Sequence, residues 1–257
     1  MMMGDPVKAS VLSAAVAAIG LAALVSACGS AASSTSQPPS APATSAPASA
    51  SAPASPSTVP QGSALPPGGT PAGYQRIGGP VQGLTVAVPS SWVMVNLGVQ
   101  SLREAIKKVG LHGADQATLT QTLQALQKLH AVYAVDDSSV ASSPANFATN
   151  VNAYCINSGM TDSGSASVPL IRRLAVAELQ RVGAQNITQQ DVEIGGLPGV
   201  RTFYTLSTSA AGTLHAAQLE VLPKPERACF VTLTAAGPLP GAVLTVLAPS
   251  VRYTGKI

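Results

Sequence analysis

The sequence predicts an α+β domain: one mainly antiparallel sheet with about three helices packed against it, preceded by a signal peptide and a disordered linker. Two patterns after residue 74 support this class. Apolar residues recur at helical spacing in the first half of that segment, and the second half consists of strand-like runs separated by short turns. Consecutive strands joined by short turns favour a meandering antiparallel sheet, which helices then cover.

Composition locates this folded segment within the chain. The 257 residues carry 14 basic and 11 acidic side chains, for a net charge of +3. No charged residue lies between Lys8 and Arg76, and all nine aromatic residues lie at or beyond Tyr74. The chain therefore contains one folded domain, residues 74–257. A charge this small and scattered argues against a nucleic-acid partner.

Residues 1–27 have the pattern of an export signal. Lys8 precedes a mainly apolar stretch from Val11 to Val25, which is shorter than the roughly 20 residues of a membrane span. The stretch runs into Val-Ser-Ala-Cys, ending at Cys28, and this sequence resembles the lipobox of bacterial lipoproteins. The resemblance implies cleavage before Cys28, acylation of its thiol and attachment to the membrane. The alternative is a plain secretory signal or an uncleaved N-terminal anchor.

Residues 28–73 form a linker after that cysteine. From residue 30 onward the segment consists almost wholly of Ala, Ser, Pro, Thr and Gly, and ten of the 21 prolines lie between Pro38 and Pro71. Such a composition buries too little apolar area to offset the entropy of ordering. We expect a disordered spacer that holds the folded domain away from the membrane, with O-linked sugars on its Ser and Thr residues as an alternative role.

The first half of the folded domain is predicted to be mixed. Alternating residues 84–88 predict a strand that stops at Pro89, and Ser101 with Glu104 predicts a capping box that begins a helix closed by Gly110. Leucines at helical spacing predict a second helix from Asp115 to about Leu129. The remaining elements of this half are strands at 131–136 and 146–156 and a third helix from about Pro169 to Val182.

The second half of the domain is predicted to be rich in strands. Four strands joined by short turns are expected over 191–194, 199–207, 213–222 and 227–235. A short helix between Pro240 and Ala248 and a last strand at residues 251–254 complete the domain.

Cys155 and Cys229 are the thiols that remain after Cys28. Each lies in a predicted strand, and export would place both in an oxidising compartment, so we predict a disulfide between them. This pairing also argues against a nucleophile pair of Cys155 with His215. Two buried free thiols are the alternative.

Two turns carry a family resemblance. The strand ending in Val-Pro-Ser-Ser-Trp at Trp92, and the run Val-Glu-Ile-Gly-Gly-Leu-Pro-Gly at residues 192–199, follow a lipobox and an Ala/Pro/Ser linker. This order resembles the LpqN family of mycobacterial lipoproteins, whose folded domain is similar to the Mog1/PsbP fold. The two helices within residues 98–136 depart from that family's pattern. The resemblance implies a non-enzymatic accessory role in the cell envelope and carries over no catalytic residue.

No residue pattern predicts a catalytic, metal or cofactor site. The Gly195-Gly196 pair precedes a strand rather than a helix, which predicts a tight turn instead of a phosphate loop. The histidines lack neighbouring His or Cys at metal-ligand spacing and are expected to be structural or exposed: His112, His130 and His215.

Two groups of charged residues are weaker candidates. The acidic residues in the middle of the domain suit a cation or acid–base chemistry, although a solvated turn is preferred: Asp136, Asp137 and Asp162. The arginines of the third helix form a basic patch that would face a partner or anionic lipid, with a solvated helix face as the alternative: Arg172, Arg173 and Arg181.

Three functions remain open at this stage. The preferred one is a non-enzymatic binding or accessory module, anchored on the extracytoplasmic side of the cell membrane and meeting an envelope protein partner. The second is a carrier of lipid or another small hydrophobe, which requires an open apolar cavity. The third is an envelope hydrolase with an unrecognised site.

Overall fold

Two antiparallel sheets, one of three strands and one of seven, form the framework of the domain. The computed structural model describes residues 69–97, 123–143, 147–208 and 211–255. The predicted α+β class with mainly antiparallel pairing is confirmed. The strands fall into two sheets rather than the single expected sheet.

The strands are numbered in chain order. The three-stranded sheet has the order β1-β2-β10, with β1 (Tyr74–Gly79), β2 (Leu84–Pro89) and β10 (Arg252–Tyr253). The seven-stranded sheet has the order β3-β4-β5-β9-β8-β7-β6, formed by β3 (Val93–Asn96), β4 (Val132–Asp136), β5 (Thr149–Asn157), β6 (Gln185–Ile194), β7 (Leu197–Thr208), β8 (Gly212–Lys224) and β9 (Arg227–Ala235). The strands β6 to β9 pair in sequence order, as the short turns predicted.

In the described part of the chain the sheets are accompanied by α1 (Val168–Arg181), α2 (Gly241–Ser250) and a helical segment at residues 123–128, with short 3-10 helices at Asp137–Ser142 and Gly164–Ser167. Proline in its first turn suits the start of α1, and Gly183, at a φ of 81°, follows its end. The helix buries Ile171, Ala175 and Leu179, which are spaced four residues apart and so lie on one face. The predicted third helix is thus confirmed.

Residues 123–128 are helical and belong to the predicted second helix. The amide of His130 donates to the Gln127 carbonyl and that of Ala131 to the Leu126 carbonyl, the bond pattern of a Schellman motif. His130 takes the left-handed position that glycine usually holds, at a φ of 51°. The capping-box helix and the start of the second helix lie outside the described residues.

Different elements pack against the two faces of the seven-stranded sheet. On one face Val151, Val231 and Leu233 belong to the same apolar cluster as residues of β2 and α2. On the other face Tyr154 and Phe230 stack with ring centroids 5.4 Å apart and share a cluster with Ile171 of α1 and with Leu123 and Leu126. The three-stranded sheet and α2 thus cover one face of the seven-stranded sheet, and α1 with residues 123–128 covers the other.

Three strands differ from the expectation for physical reasons. β1 and β3 were not predicted, because β1 carries glycines and polar residues and β3 has four residues, too few for a clear alternation. β6 begins at Gln185 rather than at residue 191. It is an edge strand with mostly polar, exposed side chains over its first half, so it lacks the apolar alternation that marks a half-buried strand.

Candidate functional site

A pocket of about 330 Å³ opens where the ends of the two sheets meet. The three-stranded sheet and its β1–β2 turn contribute Pro80, Val81, Gly83 and Tyr253, and Gly255 follows β10. The seven-stranded sheet contributes the β8–β9 hairpin and one half-cystine: Pro223, Lys224, Arg227 and Cys229. The charged residues of this lining are both cationic, so the pocket is suited to an anionic group.

A bulge in β8 places the two cations on the same side of the sheet. Lys224 pairs with Arg227 and Val221 pairs with Cys229, so the register shifts by one residue between these pairs. Side chains alternate along a strand, and three residues of separation would otherwise put Lys224 and Val221 on opposite faces. The extra residue returns Lys224 to the face of Arg227 and Cys229.

The guanidinium of Arg227 rests against the backbone of the β1–β2 turn. Gly83 has a φ of 78°, a conformation that favours glycine, and a Cβ atom there would displace Nη2 at the end of the Arg227 side chain. Arg227 is half-buried, and its guanidinium forms no hydrogen bond or ion pair with the described residues. The pocket therefore contains the positive charge of Arg227, which the described residues do not neutralise.

Tyr253 is held in place at the side of the pocket. Its hydroxyl donates a hydrogen bond of 2.8 Å to the Ile194 carbonyl, and burial raises the pKa of Tyr253, which keeps the hydroxyl protonated. Ile194 leads into the Gly195-Gly196 turn between β6 and β7, where both glycines have positive φ. A Cβ on Gly195 would lie 2.6 Å from the Val251 carbonyl oxygen. The glycine pair is the predicted tight turn, and it packs against the strand that supplies Tyr253.

The predicted disulfide is present beside this pocket. Cys155 of β5 lies directly opposite Cys229 of β9, and the two sulfur atoms are bonded, with a sequence separation of 74 residues. Both half-cystines are buried, and Cys229 lines the pocket. The disulfide therefore fixes the start of β9, two residues beyond Arg227.

A row of buried polar side chains crosses the opposite face of the seven-stranded sheet. Adjacent strands bring into register Asn152, Thr232, Gln218 and Thr202. Asn152 Oδ1, Thr232 Oγ1 and Gln218 Oε1 are buried without a hydrogen-bond partner within the described part of the chain, as is the Tyr204 hydroxyl. Unsatisfied buried polar atoms are rare in folded proteins, and this cluster marks a second place where ordered water or a polar ligand would be stabilised.

Glu220 lies on the same face of β8 as Gln218, two residues further along the strand, and is 3% exposed. Burial raises the pKa of Glu220 to about 7, because an ionised carboxylate loses its hydration there, while the hydrogen bond from Gln218 lowers it. Tyr154 and Tyr204 interact electrostatically with this carboxyl, and burial raises the pKa of both phenols. Near neutral pH Glu220 is thus present in both protonation states inside the protein.

The predicted candidate residues are dispersed over the described structure. His130 is exposed at a helix end and His215 is half-buried in β8, whereas His112 and Cys28 lie outside the described residues. Asp136 Oδ1 accepts a hydrogen bond from the Ser138 hydroxyl at the start of a 3-10 helix. In the described ranges no three His, Cys, Asp or Glu residues come together as a metal site.

Two of the three arginines in the predicted basic patch have carboxylate partners. Arg172 donates to Asp191 of β6, with Nη2 to Oδ1 at 2.6 Å, and Arg181 forms an ion pair with Glu178 one helical turn earlier. Arg173 is exposed between them along α1. The positive charge of this face is partly neutralised, and its role toward a partner remains a prediction. No described helix has the length and apolar character that crossing a membrane requires.

The main residues of both sites were missed from the sequence. Lys224 and Arg227 flank a Pro-Glu turn, and this cluster of charges at a hairpin was the available signal. For Glu220 the available signal was a single carboxylate in a mainly apolar run, Gln-Leu-Glu-Val-Leu at residues 218–222. A strand of this kind buried on both faces leaves no solvated side for a charge.

Comparisons with known proteins give no family assignment. No family model matches the sequence, and no curated protein matches it significantly. The cyanobacterial PsbP (CyanoP) of Synechocystis sp. PCC 6803 is similar in structure, with a TM-score of 0.39 and 14% identity, over 71% of this chain and 93% of that chain. A protein of Bacteroides thetaiotaomicron VPI-5482 has a TM-score of 0.41 and 8% identity over 72% of this chain, which spans half of that protein.

Proposed function

We propose that this chain is a lipid-anchored, extracytoplasmic binding module of the cell envelope that acts without catalysing a reaction. In this proposal Cys28 carries the lipid, residues 28–73 are the tether, and the folded domain binds an envelope protein or a ligand. The observation that carries the proposal is the cationic pocket between the two sheets. Its described lining has apolar walls and two cations, and the cations are groups that bind an anion.

The composition of the pocket favours a binding module over a hydrolase or a lipid carrier. A nucleophile, base or carboxylate acid would be expected at a hydrolase site, and the described lining includes no His, Ser, Asp or Glu. A lipid carrier needs an apolar cavity, whereas the two faces of the seven-stranded sheet are filled by side chains of the apolar clusters. The volume of the pocket suits one small ligand.

Membrane attachment is tested by fractionation of cells that express the full chain or its Cys28→Ala variant. We expect the wild-type protein in the membrane fraction, with the added mass of acyl chains, and the variant in the soluble fraction without that mass. Equal membrane partitioning of the two proteins, with no difference in lipid mass, would contradict the anchor.

Partner binding is tested by photo-crosslinking in the native envelope. A photoreactive amino acid replaces Val81, which lies at the pocket and is 66% exposed, or Met94 on the edge strand β3, which is 43% exposed. We expect mass spectrometry to identify an envelope protein at position 81 and not at position 94. Crosslinks at position 81 to lipid alone would favour the carrier.

A further inference from the structure

The two cations of the pocket lie at the same end of the β8–β9 hairpin. Lys224 and Arg227 are directly paired across the last rung of the β8–β9 hairpin. The guanidinium of Arg227 forms no hydrogen bond or ion pair with the described residues, and its half-buried position limits its contact with water. An anion bound in the pocket would gain a charge-assisted contact with Arg227, and Lys224 lies on the same side of the sheet.

The hairpin itself holds these residues in a constrained turn. Its corner residues are Pro225 and Glu226, and Glu226 has a φ of 62°, a left-handed conformation that favours glycine. The Glu226 carbonyl accepts a hydrogen bond of 2.8 Å from the Ser158 amide, which fixes the turn against the end of β5. Strained backbone that neighbouring elements hold in place is concentrated at ligand-binding sites.

We infer that the pocket binds a small organic oxyanion, a carboxylate or phosphate monoester carried on an apolar body. This inference deepens the proposed function and rests on it. The guanidinium of Arg227 presents parallel N–H groups that match two oxygens of either anion, and the Lys224 ammonium adds a second charge.

The apolar body is inferred from the walls of the pocket. Pro80, Val81 and Pro223 line it, and Val81 is a large apolar side chain left 66% exposed. An aliphatic or aromatic group seated on these residues would remove apolar surface from water, while the oxyanion reaches the cations. A volume of about 330 Å³ corresponds to the lower end of small-molecule sites.

The test is calorimetric titration of the full-length protein, purified in detergent, with three probes of similar shape: benzoate, phenyl phosphate and benzyl alcohol. We expect the wild-type protein to bind one or both anions and not the neutral alcohol, with an affinity that falls as salt rises. The Arg227→Gln variant is expected to lose about tenfold or more in affinity, Arg227→Lys to lose less, and Lys224→Gln to lose several-fold. Binding that favours one anion identifies which oxyanion the site takes.

Lys128→Gln is the matched control, because it removes one positive charge from an exposed position in the helical residues 123–128. It is expected to bind like the wild type, and thermal unfolding of every variant confirms that it is folded. Equal affinities of folded Arg227→Gln and wild type, equal binding of benzyl alcohol, or no anion binding by the wild type would overturn the inference. Any of these results alongside intact membrane attachment and protein crosslinks would leave the proposed function standing. Anion binding by a protein that is not attached to the membrane would refute the anchor alone.

Discussion

The side-chain amide of Gln218 donates a hydrogen bond of 2.5 Å to the carboxyl of Glu220, two residues along the same face of β8. Both residues are almost fully buried, and Gln218 Oε1 has no partner within the described ranges. Burial favours the protonated form of this carboxyl over the carboxylate, and the hydrogen bond from Gln218 offsets that preference only in part. Protonation of Glu220 is therefore coupled to the stability of the domain.

Stability is expected to fall as the pH rises through the range in which Glu220 titrates. The folded pKa of about 7 lies above the ordinary value of 4.5, so the folded protein holds a proton that the unfolded chain has released between these values. The contribution of protonated Glu220 is complete below pH 4.5 and is lost as the pH passes 7, roughly 3 kcal/mol in total. Urea unfolding at pH 5 and pH 8 measures this difference.

Glu220→Gln is expected to reduce that pH dependence, because glutamine keeps the shape of the side chain and does not ionise. Glu193→Gln is the control, since Glu193 is exposed on the edge strand β6. The control is expected to keep the wild-type difference between pH 5 and pH 8. A Glu220→Gln protein with the same pH difference as the wild type would contradict the assignment.

Two tyrosine hydroxyls differ in hydrogen bonding, so their contributions to stability can be compared directly. Tyr204 has a buried hydroxyl with no partner in the described residues, whereas the Tyr253 hydroxyl donates to the Ile194 carbonyl. Tyr204→Phe is therefore expected to leave the free energy of unfolding unchanged or raise it by about 1 kcal/mol, and Tyr253→Phe to lower it by about 1 kcal/mol. Urea unfolding of both variants gives the comparison. A substantial loss for Tyr204→Phe would instead show that bound water or a ligand satisfies this hydroxyl.

The Cys155–Cys229 disulfide is expected to contribute about 4 kcal/mol, because it closes a long loop in the unfolded chain. Unfolding of the wild-type protein by urea, with and without reductant, measures the loss. The double variant Cys155→Ala, Cys229→Ala serves as control and is expected to unfold at the same low urea concentration under both conditions. An unchanged wild-type midpoint after complete reduction would rule out this contribution.

The Arg172–Asp191 ion pair is expected to add little stability. Its arginine and aspartate side chains are 33% and 69% exposed, so water and salt screen the attraction. A double-mutant cycle with Arg172→Ala and Asp191→Ala should give a coupling energy below about 1 kcal/mol that decreases with added salt. A coupling of several kcal/mol would show that the pair holds α1 against β6.

Much of the fold was predictable because its signals are local. The apolar spacing of α1 and the strand-like runs of β7 to β9 follow directly from nearby residues, and the short turns between these strands favour neighbours in one sheet. The strands β1 and β3 were missed because they are short or polar, and their pairing is decided by residues far away in the chain. The candidate site was not predicted, since it depends on how the ends of two sheets meet.

The sequence by itself determined the α+β class, the order of the strand-rich half and the identity of the paired cysteines, because each depends on local periodicity or on a small number of thiols. Only the tertiary structure decided where charge is placed. A one-residue bulge turns Lys224 toward Arg227, the missing side chain of Gly83 makes room for the guanidinium, and two covering layers bury Glu220. Each of these depends on contacts between distant segments, which no local pattern encodes.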